Sequence, residues 1–257
     1  MSKAEELLNV AHQTNLAEDF VKAGNHFIIE DKYALAAESF EKAGHIYIIN
    51  DYKFLAANTF VKAVDNYVKD KQYKVAQDLL NVAINIYLEN GNFASVAKQL
   101  QNLGDIYYQD KQISLAIESY EKSCKWFCNE NSKNTGCGIL YKAAELAIES
   151  KDYIKAISLL TQVKKYYETN KITEFKGKQL LLEIFILKLY LDDECESYFL
   201  TQEKHKSTRE YQLIDQLIKS LNKHDKEQFN EAIGNFDSIQ PLEGWKLQLL
   251  TEIKERV

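Results

Sequence analysis

Small and apolar residues recur along this chain on a twenty-residue period. Leu16, Ala17, Phe20, Ala23 and Phe27 form one set, and advancing each by twenty gives Ala36, Ala37, Phe40, Ala43 and Tyr47, then Ala56, Ala57, Phe60, Ala63 and Tyr67. The series continues through Ala76, Gln77, Leu80, Ala83 and Tyr87, through Val96, Ala97, Leu100, Leu103 and Tyr107, and through Ala116, Ile117, Tyr120, Ser123 and Phe127. Gly136, Cys137, Leu140, Ala143 and Ala147 are a weak copy, and Ala156, Ile157, Leu160, Val163 and Tyr167 restore the pattern. Steps of one, three, three and four keep five side chains on one stripe of a helix and would scatter them over both faces of a strand. Each copy therefore predicts one amphipathic helix.

Between copies stand Glu30, Asn50, Asp70, Asn90, Asp110, Glu130, Ser150 and Asn170, polar residues most of which favour helix caps or turns. About sixteen helical residues make a rod of ~24 Å, and short turns force consecutive rods to run antiparallel. The repeating unit is a helical hairpin of forty residues. Small residues at the first and fourth stripe positions admit neighbouring backbones, and no hairpin can bury its stripe alone, so copies must stack as a solenoid.

Past Asn170 the period lapses and longer amphipathic segments follow, at 173–191, 193–204, 207–223 and 226–236, with a last helix after Pro241. The run Leu180 to Leu191 is too short to span a bilayer and reads as a buried helix. The expected architecture is all-α: a right-handed superhelix of antiparallel hairpins over residues 1–170, capped by a C-terminal helical bundle over 171–257.

Composition narrows the function. One proline and nine glycines leave no room for the turns of a barrel or sandwich. A net charge of -6 argues against nucleic acid as a partner. Arg209 and Arg256 are the two arginines, so any basic face acts through the summed field of lysines. No export signal or membrane-spanning run is visible, which places the chain in the cytosol with its four cysteines reduced. Cys124 and Cys128 lack the second pair a zinc site needs, and the histidines His12, His26, His45, His205 and His224 are scattered and read as surface or core-edge residues. Gly136-Cys137-Gly138 lacks the Lys-Ser/Thr of a phosphate loop. No catalytic residue, metal or cofactor is expected, and the chain is not expected to be an enzyme.

Three pieces of sequence carry a family resemblance. The segment Ala76 to Lys98, the run Ser207-Thr208-Arg209-Glu210 with Leu213, and the ending Phe236-Asp237-Ser238-Ile239 with Leu242 and Trp245 resemble the soluble NSF attachment proteins (SNAPs). The resemblance implies an adaptor that grips the four-helix SNARE bundle on a concave basic surface and recruits the AAA ATPase NSF for SNARE disassembly in vesicle trafficking and membrane fusion. Carried over by position, the SNARE-binding residues are Lys98, Lys178 and Arg209, with Lys142 one turn from a family lysine position occupied here by Gly138. Asp192 is the NSF-facing acidic residue. The family's membrane-touching loop has no counterpart before Leu16, which implies a cytoplasmic protein that meets membranes peripherally and through SNAREs only. Lys219, Asn222 and Lys223 stand where acidic residues are expected, and the acidic tail is replaced by Glu255-Arg256-Val257, which implies weak engagement of a standard NSF. The alternative reading is a scaffold like the tetratricopeptide proteins, binding extended peptides or protein subunits.

Overall fold

The computed structural model describes residues 2–130, 132–169, 174–191, 195–202, 205–242 and 244–256, the side chain of Glu174 excepted. Among them are fourteen α-helices and no strand. They fall into two compact units, Met1–Ile139 and Leu140–Val257.

The first unit is built from α1 (Lys3–Thr14), α2 (Ala17–Ile29), α3 (Tyr33–Ile49), α4 (Lys53–Lys69), α5 (Tyr73–Glu89), α6 (Phe93–Gln109), α7 (Ile113–Asn129) and the start of α8 (Lys133–Glu149). Each helix from α1 to α6 packs on the next and, with three-residue turns between them, α2 to α6 alternate in direction. The turns share one device. The residue after the cap turns left-handed, at Asp31, Asp51, Lys71, Gly91 and Lys111, and the next amide closes back onto the helix, as in Tyr52 N to Tyr47 O at 2.8 Å. The polar period between helices thus marks helix C-caps.

The stripe forms the core. Phe20, Phe27, Phe40, Phe60, Leu80 and Tyr120 are buried, with Ala23, Ala43, Ala63 and Ala83 inaccessible between them. Leu16 departs from the sequence reading: it is the N-cap of α2 and half exposed, so the first core residue there is Ala17. α1 precedes the first copy and was not foreseen. Its start is a capping box, in which the Ser2 hydroxyl accepts from the Glu5 amide and the Glu5 carboxylate accepts from the Ser2 amide.

The second unit holds the rest of α8, α9 (Tyr153–Glu168), α10 (Glu174–Leu191), α11 (Cys195–Leu200), α12 (Arg209–Lys223), α13 (Lys226–Asp237) and α14 (Trp245–Lys254). α10 is apolar on all sides: Leu180, Leu181, Leu182, Ile184, Phe185, Ile186 and Leu187 are all buried, and α9, α11, α12 and α14 pack around it. The 193–204 segment yields only the six-residue α11, with 193–194 and 203–204 outside the described residues. α12 begins two residues later than its pattern suggests because Thr208 caps it, its hydroxyl accepting from the Tyr211 amide. Among the histidines read as surface or core-edge residues, His205 lies deeper than that reading. It is buried, its Nε2 3.1 Å from Glu168 Oε1, and the same carboxylate oxygen lies 2.8 Å from the buried Lys164 ammonium, which also donates to Gln202.

Candidate functional site

The twenty-residue period fixes rotational register as well as packing. Position 98 lies two residues past the first small position of α6, and positions 138 and 178 hold the same register on α8 and α10, forty residues apart each time. Lys98 and Gly138 are exposed and Lys178 is half-buried. Upstream, α2 and α4 carry Glu18 and Asn58 in this register, and Asn58 accepts the Tyr87 hydroxyl at 2.6 Å. The odd-numbered helices α3, α5 and α7 carry Glu38, Asp78 and Glu118 there, and Glu118 pairs with Lys122 at 2.7 Å. In this register, then, carboxylates stand on α2, α3, α5 and α7, lysines on α6 and α10, and uncharged Asn58, Gly138 and Ser158 on α4, α8 and α9. Helices of one parity run in one direction within the first unit, so successive hairpins present the same side of the even helices. Sequence reasoning found the two lysines but not the carboxylates that share their register on other helices.

Gly138 is the gap in the basic register. A β-carbon added there would meet nothing within 4 Å, so the lysine's absence is not a steric necessity. Lys142, one turn on, is half-buried within field reach of Glu145.

Arg209 is the first residue of α12 and exposed. Its stem borders a small cavity of about 190 Å³ with Leu213, Phe236 and Ile239. A cation in the first turn opposes the helix dipole at a cost of ~0.3–1 kcal/mol, so helix stability does not favour arginine there. Lys98 belongs to the first unit, and Lys142, Lys178 and Arg209 to the second. Asp192, the expected ATPase-facing residue, lies outside the described residues.

The lysines of α12 have local explanations. Lys219 pairs with Asp215 at 2.6 Å, and Lys223 stands in the last turn, where a cation complements the dipole. Asn222 donates to Glu196 Oε1 at 2.7 Å beside a cavity of about 770 Å³ bordered by Leu189, Ile218, Leu221, Ile253 and Arg256.

The buried thiols and phenols are held neutral. Burial pushes Cys124 up to about 12 and Cys137 to about 11, and Cys124 Sγ lies 3.9 Å from Cys128 Sγ as a thiol–thiol hydrogen bond between two free cysteines. Tyr120 is raised by burial and by donating to Asp105 Oδ1 at 2.6 Å. Among the described residues no group of His, Cys, Asp or Glu is arranged to hold a metal ion, and no helix is long and apolar enough to cross a membrane.

Stacked antiparallel hairpins define an all-α helical-hairpin repeat protein. Comparison with known families adds the particular one: the description "Soluble NSF attachment protein, SNAP" matches residues 9–257, so the chain belongs to that family. Relatives include the alpha-soluble NSF attachment protein of Dictyostelium discoideum, 30% identical over 66% of this chain and 61% of the relative. The beta-soluble protein of Bos taurus is 27% identical over 66% of this chain and 59% of its own length, and the alpha-soluble protein of Saccharomyces cerevisiae is 26% identical over 66% and 61%. The matched stretch thus spans about three fifths of these relatives.

Proposed function

We propose that this chain is an adaptor that holds a SNARE four-helix bundle through Lys98, Lys142, Lys178 and Arg209 and recruits an NSF-type AAA ATPase to take the bundle apart. Its part is binding and presentation rather than catalysis. The observation that carries the reading is the charge in one register, with lysines on α6 and α10 following carboxylates on α2, α3, α5 and α7, in a chain of this family. An acidic, rod-shaped partner is steered to one side by such a distribution. In this reading residues 1–170 grip the bundle and 171–257, with Asp192, meet the ATPase. The protein works in the cytoplasm and reaches membranes peripherally, through the SNAREs it holds.

The deciding experiment is capture of a purified SNARE bundle by this protein across a salt series. Binding that falls as salt rises, and falls further when Lys98, Lys178 and Arg209 are reversed to glutamate, supports the adaptor. Failure to hold the bundle, with capture of extended peptides instead, establishes the scaffold reading.

A further inference from the structure

On α8 the residues Gly138, Lys142, Glu145 and Glu149 follow at steps of four, three and four and so share one stripe. The stripe expected to meet the bundle therefore turns acidic over its last two turns. Glu145 and Glu149 border a cavity of about 280 Å³ between α8, the turn after it and α14, with Tyr153 and Trp245 as its aromatic members and Lys151 and Gln248 at its rim. That volume suits a side chain rather than a cofactor.

The Glu145 carboxylate has no hydrogen-bond or ion-pair partner among the described residues, in contrast to Glu183, which takes the Lys246 ammonium at 2.7 Å and the Tyr141 hydroxyl. Crowding in the cavity wall and the nearby Glu183 charge raise its carboxyl, while Lys142 and Lys246 only partly offset them. Glu145 is exposed, so a cation can reach it from solvent. The same register two hairpins earlier holds Asp65 on α4, also raised by burial and also without a bonded partner, with Lys69 and Lys98 in field reach. Asp105 continues the row on α6, its acceptor used by Tyr120. In sequence the carboxylates at 65, 105 and 145 recur on the forty-residue period.

We propose that the cavity at Glu145, Glu149, Tyr153 and Trp245 receives a lysine or arginine side chain of the same four-helix bundle, its cation paired with the carboxylates and packed on the rings. This rests on the adaptor reading and changes it in one respect: the bundle-facing stripe is mixed in sign, and the basic residue entering the cavity fixes the bundle's position along α8. Charge-assisted pairing and a ring face together favour a cation over any neutral group.

The test measures affinity for a purified SNARE bundle at physiological salt, with melting curves as a check on folding. Glu145→Gln keeps shape and removes charge, and we expect binding about fivefold weaker; Glu145→Lys places a cation in the cavity, and we expect about tenfold or more. Reversing one basic residue of the bundle to glutamate should restore binding to Glu145→Lys alone. Unchanged or tighter binding of the Glu145→Lys variant overturns the proposal, because a stripe that needs only positive charge gains from another lysine. Loss of ATPase recruitment with bundle affinity intact overturns it also, by giving the cavity to a different partner. A wild-type protein that never binds the bundle fails the adaptor reading itself, a separate and recognisable outcome.

Discussion

Gly104 on α6 lies directly under the ring of Tyr120 on α7, so close that a β-carbon added to the glycine would come within 2.6 Å of Tyr120 Cε1. The ring is fully buried and its hydroxyl is tied to Asp105, so it has nowhere to move. Gly24 under Phe40 and Gly44 under Phe60 repeat the arrangement in earlier helices.

Two effects of opposite sign meet at Gly104→Ala. A glycine-to-alanine change in a helix interior normally gains ~1 kcal/mol, while overpacking a closed core costs ~1–3 kcal/mol. Overlap decides for the cost, and we expect a net loss of ~1–2 kcal/mol in urea unfolding. Gly138→Ala, whose β-carbon meets open space, should gain ~0.5–1 kcal/mol in the same measurement. A stabilised Gly104→Ala variant would mean that the α6–α7 contact yields.

How much of this was legible in the sequence depended on whether the information was local or repeated. Helices α2 to α9, the turns between α2 and α7 and the buried stripe follow from a period present eight times, and α10 from a largely apolar run. The glycines at 24, 44 and 104 share a register, yet a single glycine in a helix does not announce the ring above it. His205 could not be read as buried, because the Glu168 carboxylate beside it ends α9, thirty-seven residues earlier, where it also takes Lys164 one turn before it. The cavity at Glu145 was equally hidden, since it needs α14, about a hundred residues onward, to bring Trp245 beside α8. The lysines and Arg209 were visible as positions, whereas the carboxylates in the same register on α2, α3, α5 and α7 show only when the helices are aligned with one another.

Restoring the missing charge should be cheap. In Gly138→Lys the helix gains ~0.7 kcal/mol from losing glycine and gives back ~0.2–0.5 kcal/mol to repulsion from Lys142 four residues on. Stability should stay level or rise slightly. Affinity for a SNARE bundle should rise about two- to fivefold at low salt and return to the wild-type value at high salt, the signature of one exposed charge. Titration at two ionic strengths checks it, and a gain that survives high salt would point to a different cause.

Arg209→Glu should drive stability and binding in opposite directions. An anion in the first turn of α12 replaces an unfavourable dipole contact with a favourable one, worth ~0.5–1 kcal/mol of unfolding free energy, less any packing of the arginine stem against Leu213 and Phe236. Bundle affinity should fall severalfold because an attraction becomes a repulsion. A destabilised variant would show that the stem packing dominates, and a variant of unchanged affinity would remove Arg209 from the contact.

The last expectation concerns alkali. Burial raises Cys124 to about 12 and Cys137 to about 11 from an ordinary 9.0, and it also raises Tyr67, Tyr120 and Tyr141 above 10.0, with Glu41, Asp105 and Glu183 adding to the effect. In the folded chain these groups keep their protons where the unfolded chain has lost them. Between pH 9 and 12 the native state therefore binds more protons than the unfolded state, so unfolding free energy falls as pH rises. Their contribution is whole below pH 9 and drains away as pH climbs through the raised values. Urea midpoints at pH 8, 9.5 and 10.5 should decline in that order, with tyrosinate absorbance from the buried rings appearing together with unfolding rather than before it. Cys124→Ala should flatten the first part of the decline, where thiols titrate and phenols do not. A midpoint that held steady from pH 8 to 10.5 would mean that these side chains reach water in the folded protein, and the close packing of α6 on α7 would have to be drawn again.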